Sequence, residues 1–295
     1  MSQISERSNI ISIDETPTVS AIHASMVNLS EMSSYQPLSM ALPDIQSMCP
    51  QHILSALNAT HSGLHFTTAS TTVCSPNTLR AAFGSTFSPT IKKLEHHGLS
   101  TLDAKKASLI SSISRMDFKV ADQRMVKSGI KAVLSARDEK TLNTGIKAVM
   151  HQLEVAHTKV FTANLAKACA KASVAVGFKQ VEIKQVAGKL EVIATNNIGQ
   201  RLNSEISVDA NTNQVNANTE TIGITDGSCN AIITSFNDEL KKMGIKIGSE
   251  KTTFTGGACQ MPYSKMIDQQ DKEALRKNKE QARRIKMNTP HKQKI

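Results

Sequence analysis

The chain has 295 residues and a mass of 31.9 kDa, room for one large or two small domains, with 39% hydrophobic residues, 3% aromatic and no Trp. Thirty-five Lys and Arg stand against 25 Asp and Glu, a net +10 with a pI near 9.4, which favours anionic partners and says nothing of fold. The sequence holds no run of about 18 uncharged apolar residues, so a membrane-spanning helix and membrane insertion are excluded on composition.

The chain opens without a basic start followed by an apolar run, and Glu6, Asp14 and Glu15 fall early. This pattern is neither a secretory signal nor an acid-poor transit peptide, so a cytoplasmic address is expected. Five cysteines, an odd number spread widely, are expected as thiols in a reducing compartment rather than as a disulfide framework. Residues 1–90 hold two basic residues against five acidic ones and 27 Ser or Thr, interrupted by Pro17, Pro37, Pro43, Pro50, Pro76 and Pro89. With no long apolar periodicity between those breaks, the stretch is expected to be a flexible Ser/Thr-rich leader that orders on a partner. Inside it, Pro50 to Leu57 reads as a short helix with Ile53, Leu54 and Leu57 as its apolar side. Cys49, His52, His61, His65 and Cys74 are all acceptable zinc ligands, but their spacing matches no standard finger. Scattered side chains in a flexible segment are the simpler reading, and no cofactor is expected.

Residues 91–158 read as a helical segment. About Asp117 to Ala136, Val120, Met125, Val126, Ile130, Val133 and Leu134 fall on one broad helical face. A second helix, about Lys140 to His157, does the same with Leu142, Ile146, Val149 and Leu153. Gly129-Ile130-Lys131-Ala132-Val133 recurs as Gly145-Ile146-Lys147-Ala148-Val149. Two copies of so short a string do not make a repeat architecture, and coincident helix-face composition is the simpler account.

Residues 159–262 predict a compact α+β domain. An Ala-rich helix, Val160 to Val176, ends at Gly177. Strands follow at Gln180 to Lys184 and Leu190 to Ala194 around an Ala187-Gly188 turn, then at Arg201 to Val208 and Val215 to Ile224. Asp226-Gly227 breaks the chain, and Ser228 is placed to cap a helix from Cys229 to Met243 through its hydroxyl. Ile245 to Phe254 is the last strand. The order α-β-β-β-β-α-β implies an antiparallel sheet with helices on one face. Residues 263–295 form a basic tail, with a solvated or partner-dependent helix expected over Lys272 to Met287.

Three chemistries follow from these elements. Cys229 sits in the first turn of a helix, where free amides and the dipole stabilise a thiolate, and Cys259 lies in a glycine loop after the next strand. No His falls between Phe161 and Lys286 to act as a base, so both cysteines read more simply as small buried hydrophobes than as catalytic residues. No paired carboxylates in an apolar setting stand out for acid-base work, and no phosphate-cradling glycine motif is present. Arg276, Lys277, Lys279, Arg283, Arg284 and Lys286 are placed to contact nucleic acid or an acidic partner. With no complete catalytic set, the sequence points first to a non-enzymatic adaptor or assembly component that binds a protein partner. A sequence-indifferent nucleic-acid-binding protein using the tail is the alternative, and a thiol-dependent enzyme using Cys229 comes third.

Overall fold

The computed structural model describes residues 7–17, 47–59, 72–74, 76–114, 123–209, 211–212, 214–224, 226–254 and 261, with parts of 265–281. Its strands are β1 (Arg7–Pro17), β2 (Thr72–Cys74), β3 (Gln180–Val186), β4 (Lys189–Thr195), β5 (Arg201–Val208), β6 (Val215–Ile222) and β7 (Lys246–Phe254). Its helices are α1 (Gln51–Ala59), α2 (Pro76–His96), α3 (Thr101–Ser114), α4 (Gln123–Ser135), α5 (Glu139–Ala175) and α6 (Cys229–Lys242). The fold is mixed α+β, and every strand pairing is antiparallel.

Local chemistry explains the meander β3-β4-β5-β6. Successive side chains of a strand point to opposite faces, and in β4, β5 and β6 the alternate positions carry most of the apolar residues to one face. Val192 and Ala194 of β4, Leu202 and Ile206 of β5, and Val215 and Ala217 of β6 enter one core against Phe161, Leu165 and Cys169 of α5 and Phe236 and Leu240 of α6. The β3–β4 turn holds Ala187 at φ 50° and Gly188 at φ 81°, the two positive values that a tight two-residue hairpin needs. The β4–β5 loop is fixed by Asn196, whose Oδ1 accepts from the backbone N–H of Ile198 and of Gln200.

Four expectations change. First, Arg7–Pro17, assigned by composition to the leader, is an interior strand of the seven-stranded sheet: β1 pairs with β6 along one edge and with β7 along the other. Ile11 and Ile13 are fully buried in the same core as α5. A strand whose apolar residues are set among Ser, Asn, Asp and Glu lacks the long periodicity that marks a core element, and only its cross-strand partners make it one. Second, the helices expected at Lys140–His157 and Val160–Val176 are a single 37-residue helix, α5, with no break at residues 158–159. It starts where Asp138 caps it, accepting from the N–H and the hydroxyl of Thr141 at 2.8 Å each. Its first half packs in a second, helical core with Ile53 and Leu57 of α1, Leu94 of α2, Ile110 of α3 and Ile130 and Val133 of α4. Its second half packs on the sheet.

Third, the five-residue repeat is structural. Gly129 of α4 lies so close to α5 that a Cβ there would come within 2.7 Å of Val149 Cγ2. A Cβ on Gly145 of α5 would meet Val133 Cγ2 at 3.0 Å. Each copy therefore sets its glycine against the other's valine in an antiparallel hairpin, while both isoleucines are buried and both lysines exposed. Fourth, the Ser228 hydroxyl does not cap α6; it donates to Asp226 Oδ1 at 2.6 Å, as does the Ser228 N–H at 3.0 Å.

Candidate nucleic-acid interface

Of the tail residues singled out in the sequence, Arg276, Lys277 and Lys279 are exposed on a helical run over 276–281; Arg283, Arg284 and Lys286 lie outside the described residues. A second set of cations stands on the α4–α5 hairpin. Two residues are about 200° of helical turn, so a residue two on from a seam glycine points to the opposite flank. Lys131 follows Gly129 and Lys147 follows Gly145 by that interval, which sets one lysine on each outer flank. Lys140, seven residues before Lys147, shares its flank. Lys131, Lys140 and Lys147 are exposed and make no ion pair among the described residues. The carboxylates nearby are engaged: Asp138 caps α5, Glu139 pairs with Lys105, and Glu154 pairs with Arg80. Hydrogen bonds from Thr141 hold the Asp138 carboxyl below its ordinary range, and Lys105 does the same for Glu139.

The thiols are differently placed. Cys229 is 1% exposed, in the sheet core, with its Sγ 3.9 Å from the Ile224 carbonyl. Cys259 lies outside the described residues. Of the zinc candidates, Cys49 is buried and its thiol is pushed up to about 11 by burial, which disfavours the thiolate a metal requires. His52 is exposed and faces Asp103 at 3.7 Å, whereas His61 and His65 are outside the described residues, as is the Cys74 side chain.

The sequence missed a carboxylate cluster on the sheet face turned away from the helices. Glu191 of β4 lies directly across from Glu205 of β5, and Asn203 of β5 lies across from Glu220 of β6. The three glutamates are 2%, 7% and 0% exposed. Lys189 Nζ donates to Glu205 Oε1 at 2.8 Å, and the Met261 N–H donates to Glu220 Oε2 at 3.4 Å, so the chain after β7 returns over this face. Burial, together with the adjacent Glu205, lifts the Glu191 carboxyl to about 8, leaving it protonated at neutral pH and able to donate to Glu205. Each glutamate sits in its own strand, separated by a hairpin, so no short motif contains the group; the alternation of Glu191, Glu205 and Glu220 on outward positions was its one legible sign. Among the described residues no group of His, Cys, Asp and Glu has the arrangement to hold a metal ion, and no helix is long and apolar enough to cross a membrane. Comparison with known proteins finds no matching family model, no similar curated protein and no similar solved structure.

Proposed function

We propose that this protein binds nucleic acid through its phosphates, without reading base sequence. The observation that carries the reading is the exposure of Arg276, Lys277 and Lys279 together in one helical run of a chain with net charge +10. Such cations displace condensed counterions from a phosphate backbone, and the affinity they give falls steeply with salt. The large apolar side chains exposed among the described residues, Ile10, Val155, Ile198 and Met266, stand on separate segments of the chain. A protein interface draws most of its energy from a clustered apolar or aromatic centre, so this surface favours charge-driven binding over the adaptor role. The test is anisotropy of a random-sequence duplex with the full chain and with Arg276→Gln, Lys277→Gln and Lys279→Gln combined, between about 50 and about 200 mM salt. Tight, salt-steep binding that weakens in the variant is expected; binding that is weak at low salt in both proteins would sink the reading.

A second proposal, a non-enzymatic adaptor or assembly component that binds a protein partner, is supported by the outer strands of the sheet. Among the described residues β3 pairs only with β4, and β7 only with β1. Each leaves one row of backbone donors and acceptors for an added strand. Hydrogen exchange on a native complex isolated with the full chain tests it: new protection along β3 or β7 supports strand addition, and unchanged exchange there argues against it.

A further inference from the structure

We propose that the α4–α5 hairpin is a second phosphate-binding surface, shaped to seat the backbone of a nucleic-acid duplex. The inference rests on the nucleic-acid reading and assigns it a surface on the folded body, separate from the tail.

The hairpin presents a narrow floor of small residues between two basic flanks. Gly129 and Gly145 bring the helices together at the seam, and Ser128, Ala132, Thr144 and Ala148 are exposed above it. The Thr144 hydroxyl is turned back to the Lys140 carbonyl at 2.9 Å, which keeps the floor low. Lys131 stands on one flank, and Lys140 and Lys147 stand on the other. The two lysines of the repeat occupy equivalent positions in a reciprocally packed pair of helices, so their charges are held by the same contacts that hold the hairpin. None of the three has an acidic partner among the described residues, and the carboxylates at the hairpin tip are taken up by Thr141 and Lys105.

The chemistry of the surface selects the occupant. The exposed part of the hairpin offers no Phe, Tyr or Trp. A single strand held without sequence preference needs aromatic platforms for its bases, so the stacked duplex, which shows phosphates outward, is the better fit. An acidic protein would need an apolar anchor to fix it, and the floor of Ser, Thr and Ala supplies none.

The test uses the full-length chain carrying Lys131→Gln, Lys140→Gln and Lys147→Gln together. Binding is read by anisotropy on a short random-sequence DNA duplex, on one of its strands alone, and on polyglutamate. The expected result is weaker duplex binding with the log-log salt slope reduced by about 2 to 3, at roughly 0.9 per lost phosphate contact. The matching Lys→Arg triple variant should restore both. Lys147→Gln alone should remove about one contact, and it keeps the test informative if the triple variant is unstable. A triple variant that binds duplex like the parent, while the tail variant does not, overturns the hairpin site and leaves the tail reading standing. No duplex binding by the parent chain overturns both. Equal, lysine-dependent binding of the single strand or of polyglutamate overturns the duplex as occupant.

Discussion

Ala187 is the one described non-glycine residue with positive φ, 50°, in the tight turn between β3 and β4. A Cβ in that region is strained by about 1 to 2 kcal/mol, and Asn before Gly is the pair that this turn favours. Ala187→Asn is therefore expected to stabilise the protein by about 1 kcal/mol, read as a higher Tm with unchanged near-ultraviolet signal. Glu191 gives a prediction in pH. Its carboxyl ionises near 8 in the folded protein against an ordinary value of 4.5, so the native state holds this proton more tightly than the unfolded chain. The stability it contributes is complete below about 4.5 and is lost as pH rises through about 8. The charged groups facing it are Lys189 on its own strand, Lys184 across the β3–β4 ladder, Glu205 on β5 and Glu220 on β6. Glu191→Gln should flatten the fall in denaturant midpoint between pH 5 and 8 and make the variant the more stable protein at pH 8. A wild-type midpoint that does not fall over that window would contradict the assignment.

Two elements carry the helical half of the molecule. In the α4–α5 hairpin, Gly129→Ala places a methyl against the stiff, fully buried Val149. Overpacking costs about 1 to 3 kcal/mol while the gain in helix propensity returns about 1, so a net loss on the order of 1 kcal/mol is expected. Val149→Ala should lose packing by itself yet partly rescue Gly129→Ala, and the size of that non-additivity, measured in a double-mutant cycle, reports the contact. Strict additivity would mean that the helices do not meet there. The second element is α5, which is shared by both cores. Lys159 is exposed where the helix passes from one to the other. Lys159→Pro removes a helical hydrogen bond and should cost about 3 kcal/mol or more, whereas Lys159→Ala should be nearly neutral. The proline variant is expected to unfold in two steps in denaturant, because the helix that couples the cores is broken.

At the scale of the whole molecule, β1 closes the sheet on itself in sequence: residues near the start of the chain lie between two strands from its second half. Ser12 Oγ accepts from the Ser249 N–H at 2.9 Å, and Asn9 Oδ1 accepts from the Thr252 hydroxyl at 3.1 Å. Ile11→Ala and Ile13→Ala, both at fully buried positions, should each cost about 2 to 5 kcal/mol. Amides of β7 should lose their exchange protection with those of β1, since β7 pairs with no other described strand. Protection of β7 that survives the loss of β1 would contradict this arrangement. The same scale decides the basic surface: the charge of the chain is set by composition, whereas its display on the hairpin flanks follows from which helix faces the core consumes.

The sequence by itself determined the meander from Gln180 to Ile222, the turn at Ala187-Gly188 and the helix after Asp226-Gly227, because hairpins and amphipathic helices are written in residues close together along the chain. It also made plain the exposed charge of Arg276, Lys277 and Lys279. Tertiary structure alone decided the place of Arg7–Pro17, whose partners in β6 and β7 are more than 200 residues away, and the fusion of two apolar patterns into one α5. It also decided the meaning of the repeated Gly-Ile-Lys-Ala-Val, since one copy is completed only by the other across the seam. The grouping of Glu191, Glu205 and Glu220 has the same origin. Strand register brings one carboxylate from each of three strands to a shared buried face, and the energy that shifts the ionisation of Glu191 is a property of that face rather than of the residue alone.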